Sequence, residues 1–194
     1  MILLASTSPT RRALLKSAGI DFKTVPCTYQ EDAAKAQLQT ITAEKLSKVL
    51  AEGKALATSA EYPDDIIIAA DQVLEFGNKI YSKAPTLTDA RRQLLELRGH
   101  QHRLHTSVIC ARNSRSIFAH TTISSLKMRD FSELFLDQYI LSQGTDILES
   151  VGNYKLEGEG LQLFETIEGD YFSILGLPLL PLLKFLRLQE VIPS

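Results

Sequence analysis

Cysteine is scarce in this 194-residue chain: Cys27 and Cys110 are its two thiols, and no Cys-x-x-Cys spacing joins them. That argues against a disulfide framework and a cysteine-held zinc site, and leaves a pair of reduced, buried thiols in a cytosolic protein. Charge of one sign is lacking too. A net charge of -2, with no basic face and no interleaved aromatics, excludes a nucleic-acid module and gives an anionic membrane nothing to attract. Any affinity for phosphate must therefore be local. The opening Met-Ile-Leu-Leu-Ala has no basic segment before it and meets a helix cap by residue 8, so it reads as a core strand and not as a signal peptide. The most apolar stretch, Ile174 to Leu186, is broken by Pro178, Pro181 and Lys184 and is too short to span a bilayer. A soluble, cytoplasmic protein is expected. Also missing are a Walker-type lysine loop and a Gly-x-Ser-x-Gly elbow. His100, His102 and His105 come without the further ligands that a zinc site needs.

What is present is concentrated in the first dozen residues. The apolar run Ile2 to Ala5 stops at Ser6, Thr7, Ser8 and Pro9, and Thr10, Arg11 and Arg12 follow. Ser8 is a good N-cap and Pro9 suits the first helical position, so a strand–turn–helix corner is predicted, closed by Gly19. Such a corner turns backbone N–H groups and the positive end of a helix dipole into one small space. Ser6, Ser8, Arg11 and Arg12 can add hydroxyl and guanidinium donors, which makes it a candidate phosphate site. An ordinary capped helix with solvated arginines is the plainer reading of the same residues.

Strands and helices then interleave without repeats. Strands are predicted at Phe22–Val25, Ile66–Ala70, Val73–Phe76, Lys79–Tyr81, Arg103–Ala111, Leu161–Ile167 and part of Ser116–Lys127. Helices are predicted from Thr42 to about Ser59, from a Thr88 cap to Leu97, from Ser132 to Ser142 and over Leu179–Leu188, with a polar loop at Tyr29–Lys35. This is a mixed α/β pattern, a central sheet flanked by helices, and no composition break divides residues 1–194 into separate domains.

The continuous apolar run Ile66–Ala70 reads as a strand buried on both faces that ends at Asp71. A carboxylate at the carboxyl edge of a sheet can ligate Mg²⁺ or orient water; a strand-end turn residue is the alternative. Lys83 and Lys54 can neutralise phosphate or simply be solvated, and Glu31 and Asp32 can ligate a metal or face water.

Taken in order, these segments resemble the Maf family of nucleoside triphosphate pyrophosphatases. The resemblance lies in Leu4-Ala5-Ser6-Thr7-Ser8-Pro9-Thr10-Arg11-Arg12, Glu31, Lys54-Ala55, Ala70-Asp71-Gln72-Val73, Lys83 and Gly99. It resumes at Gly152–Gly158, Leu163-Phe164-Glu165, Glu168-Gly169-Asp170-Tyr171 and Gly176-Leu177-Pro178-Leu179. It implies a two-lobed α/β fold around a cleft, like that of inosine triphosphatases, and hydrolysis between the α- and β-phosphates. It also implies a divalent cation, Mg²⁺ or Mn²⁺, and a homodimer. On the matching positions Asp71 would be the general base, and Arg11, Ser6 and Ser8 would hold phosphates with help from Arg12. Lys54 and Lys83 would neutralise the triphosphate, and Glu31 with Asp71 would place the metal. The chain departs from the commonest pattern at Thr10, Gln30, Gln72, Ala84 and Glu157. The shifted arginine pair, Asp-Gln-Val and Lys155-Leu156-Glu157-Gly158 resemble the 7-methyl-GTP branch more than the dTTP/UTP branch. Glu157 suits the extra positive charge of a methylated guanine. A nucleotide-binding regulator of septum formation is the competing expectation.

Overall fold

The computed structural model describes residues 1–31, 33–34 and 41–193. Asp32 and Lys35 of the expected polar loop lie outside the described residues, and Glu31, Ala33 and Ala34 beside them are helical. The described chain forms strands β1 (Ile2–Leu4), β2 (Lys23–Thr24), β3 (Ile66–Phe76), β4 (Lys79–Tyr81), β5 (Gln101–Arg112), β6 (Arg115–Met128) and β7 (Phe164–Glu168). Its named helices are α1 (Pro9–Ser17), α2 (Ala43–Glu61), α3 (Leu87–Leu97), α4 (Glu133–Gln143), α5 (Tyr171–Ile174) and α6 (Leu179–Leu188). The strand order is β2-β1-β3-β5-β6-β7, with β4 paired to β3. Parallel and antiparallel pairs both occur, so the mixed sheet flanked by helices is confirmed.

Two compact units emerge from the contacts: residues 1–72, 105–122 and 170–194 form the first, and 73–104 and 123–169 the second. In the first unit β1 runs parallel to β2 and β3, with Leu3 opposite Ile67 and Leu4 opposite Ile68. Alternate side chains go to opposite faces. Leu4, Ile66 and Ile68 pack with Leu14, Leu15, Leu182 and Phe185 on one face. Leu3, Ile67 and Ala69 pack with Ala51 and Ala55 of α2 on the other. Each fully buried Leu or Ile contributes roughly 1.5–3 kcal/mol, and burial on both faces explains why Ile66–Ala70 shows no polar alternation.

Two local expectations are corrected. β3 does not end at Asp71 but continues through it to Phe76. The Gln72 side chain is bonded to Thr106 and to two backbone carbonyls, so a polar pair can sit within the strand. Helix α3 is capped by Thr86 rather than Thr88. Thr86 Oγ1 accepts from Asp89 N–H at 3.1 Å and donates to Asp89 Oδ2 at 2.7 Å, a reciprocal cap that Thr88 has no carboxylate at the right spacing to form.

The second unit carries the β3–β4 hairpin, in register Phe76 opposite Lys79 and turned by Gly77 at φ +59°. Its core holds a knot of His102, Tyr154 and Phe164. His102 Nε2 shares a 2.8 Å hydrogen bond with the Tyr154 hydroxyl, and its buried Nδ1 has no hydrogen-bond partner among the described residues. Burial lowers the His102 pKa to about 4. The folded value lies below the unfolded one of about 6.5, so the unfolded chain binds the extra proton between those limits. Stability from this group is complete above about pH 6.5 and falls as the pH drops towards 4, by up to about 3 kcal/mol. Urea midpoints taken from pH 7 to 4 should show that decline, and His102→Gln should flatten it. A slope unchanged by the substitution would assign the acid sensitivity to other groups.

Candidate active site

The predicted corner forms as expected. Ser8 caps α1, its hydroxyl accepting from Arg11 N–H at 3.4 Å, and Ser6 Oγ accepts from Ser8 N–H at 3.2 Å. Arg11 then bends back over the sheet. Its Nε donates to the Gly176 carbonyl at 2.8 Å, and its Nη1 donates to the Ala70 carbonyl at 2.8 Å and to Ser6 Oγ at 3.4 Å. Burial lowers the Arg11 pKa, and attraction to Asp71 and Glu31 opposes that shift. Arginine nevertheless stays charged in proteins. A guanidinium fixed by neutral oxygens at the positive end of a helix is prepared for an oxyanion.

Next to Ala70 stands Asp71. Its Oδ1 accepts from Lys54 Nζ at 2.6 Å, and both side chains are 10% exposed. The same Nζ lies 2.9 Å from Glu31 Oε1. Lys54 reaches this place because the inner face of α2 is held close to the sheet by small residues, Ala51 and Ala55. Gly53 is a second close approach: a Cβ there would collide with the ring of Tyr29. Burial raises the Asp71 pKa, and the attraction and hydrogen bond of Lys54 pull it back. A carboxylate above its ordinary range is better matched to accepting a proton near neutral pH. With Arg11 and Lys54 against Asp71 and Glu31, the formal charges of this group cancel.

Gln72 completes the group. Its Nε2 donates to Thr106 Oγ1 at 2.9 Å, to the Ser173 carbonyl at 3.1 Å and to the Ile174 carbonyl at 3.0 Å. The structure thus brings Ser6, Ser8, Arg11, Glu31, Lys54 and Asp71 into the first unit and adds Gln72 and Gly176. Gln72 had a signal in the sequence, an amide beside a buried strand. The carbonyl of Gly176 had none, since side-chain patterns do not reveal backbone acceptors.

Arg12 is not part of the Arg11 cage. It is exposed and lines a separate groove of about 410 Å³ with Lys16, Ile20, Asp21, Phe22 and Thr24. Adjacent helical residues point about 100° apart, so only one of two consecutive arginines can fold over the sheet. Lys83 and Glu157 belong to the second unit, both exposed: Lys83 follows β4, and Glu157 lies before the 3₁₀ turn Glu159–Leu163. Among the described residues no three His, Cys, Asp or Glu side chains converge as a metal cage. The histidine triplet forms no such site either; His102 is spent in the aromatic knot. Cys27 and Cys110 are free thiols, Cys110 buried and Cys27 half-buried. No helix among the described residues is long and apolar enough to cross a membrane.

The family model described as "Maf-like protein" matches residues 1–189. A relative named nucleoside triphosphate pyrophosphatase, from Granulibacter bethesdensis, is 45% identical and covers 98% of both chains. Another of that name, from Caulobacter vibrioides, is 47% identical over 97% of this chain and 95% of its own. A relative from Brucella abortus named 7-methyl-GTP pyrophosphatase is 44% identical over 98% of this chain and 97% of its own. Among solved structures, a Ham1 protein of Staphylococcus aureus aligns at 15% identity and a TM-score of 0.45, over 66% of this chain and 72% of that one. A match of this length, on a chain whose amino-terminal corner, buried Asp71 and Lys54 have the arrangement just described, makes this protein a member of the Maf-like family.

Proposed function

We propose that this protein is a nucleoside triphosphate pyrophosphatase that splits the α–β phosphoanhydride, releasing a nucleoside monophosphate and pyrophosphate. The observation that carries the reading is Asp71, a buried carboxylate whose pKa burial raises, hydrogen-bonded to Lys54 and adjacent in sequence to the carbonyl that anchors Arg11. Water supplies the attacking oxygen. Asp71 takes its proton as the oxygen bonds to the α-phosphorus, and the bond to the bridging oxygen breaks with its electron pair leaving on pyrophosphate. Lys54 occupies Oδ1, which leaves Oδ2 for the proton. Arg11, Ser6 and the N-terminus of α1 hold phosphate oxygens, with Ser8 shaping that end as its cap, and stabilise charge as it shifts to the leaving group. On the family resemblance, Lys83 of the second unit and the exposed Arg12 are assigned supporting positive charge.

The four central charged groups cancel, so they cannot by themselves neutralise a triphosphate. Two hard carboxylates on one ammonium, Glu31 and Asp71, fit a divalent cation of the Mg²⁺ or Mn²⁺ type, which uses few protein oxygens beside phosphate and water. Bound there with substrate, such a cation would supply charge neutralisation of the phosphates.

For the base, the sequence Lys155-Leu156-Glu157-Gly158 and the relatives named for 7-methyl-GTP favour a methylated guanine, with Glu157 pairing to its positive ring. Pyrophosphate release should be measured with 7-methyl-GTP, GTP, UTP, dTTP, CTP and dITP, each with Mg²⁺ and with Mn²⁺. The expected result is highest kcat/KM for 7-methyl-GTP. Preference for dTTP or UTP would overturn the base assignment alone, and no turnover with any of them would overturn the activity.

A further inference from the structure

The segment Asp170–Gly176 contains no side chain with a role in the proposed reaction, yet hydrogen bonds from both sides of Asp71 end on it. Ser173, 1% exposed, offers a carbonyl that accepts from Gln72 Nε2 at 3.1 Å, from Thr106 Oγ1 at 2.9 Å and from Gly176 N–H at 3.0 Å. The Ile174 carbonyl accepts a further bond from Gln72, and the Gly176 carbonyl accepts from Arg11. Arg11 also holds the carbonyl of Ala70, the residue before Asp71, and Gln72 is the residue after it. The segment therefore fixes the phosphate-gripping arginine and the backbone of the base together.

A four-residue helix cannot hold itself, because one turn fixes more dihedral angles than its few hydrogen bonds repay. Here the fixing comes from Asp170. Its Oδ2 accepts both the backbone N–H of Ser173 at 2.7 Å and the Ser173 hydroxyl at 2.6 Å. The chain then reverses at Gly176, φ +103°, where a built Cβ would lie 3.5 Å from Arg11 Nε. That reversal aims the Gly176 carbonyl at the guanidinium.

We propose that Asp170 and Ser173 are positioning residues of the active centre, locking the turn Tyr171–Ile174 so that its carbonyls hold Arg11 and Gln72 on either side of Asp71. The proposal rests on the reading of Asp71 as base and Arg11 as phosphate grip. Removing the lock misplaces groups that must meet the phosphates within a fraction of an ångström, and such errors cost up to about 100-fold in rate.

The test is steady-state pyrophosphate release with the best triphosphate of the panel, alongside thermal unfolding, for Asp170→Ala, Asp170→Asn, Ser173→Ala, Arg11→Lys and the Asp170→Ala/Arg11→Lys double variant. Asp170→Ala should lower kcat/KM by about 10- to 100-fold. Asp170→Asn keeps an acceptor oxygen and should restore most of that loss. In the Arg11→Lys background Asp170→Ala should cost less than about threefold, because the turn no longer has a guanidinium to aim. Should Asp170→Ala fail to fold, Ser173→Ala, which removes one of the two bonds and leaves the backbone intact, is read against Arg11→Lys in its place. Wild-type kinetics with only a lowered melting temperature, or full additivity with Arg11→Lys, would overturn the proposal. Asp71→Asn separates the two readings: turnover surviving in it means that the base assignment has failed. Turnover lost in it but unaltered in Asp170→Ala means that the positioning role alone has failed.

Discussion

Asp71→Asn is expected to lower kcat by about 10²- to 10⁴-fold, the range typical of losing a positioned general base. The substitution preserves shape and can keep an acceptor for Lys54, so the packing of α2 on the sheet should survive it. What disappears is the ability to take a proton from water. Binding should move the other way. One of the two carboxylates that meet Lys54 loses its charge, and repulsion between this group and the phosphates falls with it. The nucleotide dissociation constant in the absence of a divalent cation should therefore stay the same or decrease. Turnover and binding measured on the same preparation distinguish this from a folding defect, in which both would deteriorate. A kcat within about tenfold of the wild type would remove Asp71 from the role of base.

Lys54→Met should give the second largest effect, and its signature is a displaced pH profile. Burial raises the Asp71 pKa and Lys54 is the main influence pulling it down, with Arg11 helping and Glu31 opposing. Without the ammonium, the buried carboxyl holds its proton to higher pH. The acid limb of log kcat/KM should move upward by at least about one pH unit, as expected for losing an opposite charge in direct contact. At pH 7 the rate should fall by roughly 10- to 10³-fold, combining a smaller ionised fraction with weaker phosphate neutralisation. Raising the pH should recover the first part and leave the second. An acid limb that does not move would show that Lys54 serves the phosphates and not the base.

Much of this arrangement could be read from residue order, and the largest miss has a long-range cause. The strand–turn–helix corner was legible because Ser8-Pro9 is a local signal, complete within a few residues. The buried strand was legible because five successive apolar residues have few other uses. Its end was misplaced, since Asp71 and Gln72 look like a break until their partners at Lys54, Thr106 and Ser173 are known. Those partners are 17, 34 and 101 residues away, beyond any local pattern. Arg11 and Arg12 are adjacent in the sequence, and it is the partners of Arg11 at Ala70 and Gly176, 59 and 165 residues away, that set it apart. Thr86 and Thr88 differ only in which has an aspartate three residues on, and that rule, applied strictly, would have found the cap. Residues such as Lys83 and Glu157, exposed in connecting segments, carry no packing signal; their charge suggests a chemistry, and only the family resemblance gives them a place in a site.

The way Arg11 is held has a consequence for how the protein meets its substrate. Its three acceptors, the carbonyls of Gly176 and Ala70 and the hydroxyl of Ser6, are all uncharged. Lys54 already shares its ammonium between two carboxylates, so in the proposed reaction those ion pairs must shift to admit a phosphate. Among the described residues Arg11 is bonded to no carboxylate, although Asp71 and Glu31 attract it from nearby. Its position is set during folding, and its charge is not consumed by the groups that set it. Under the proposed reading, a phosphate could meet the arginine without breaking an ion pair, whereas reaching Lys54 would require its two carboxylates to shift.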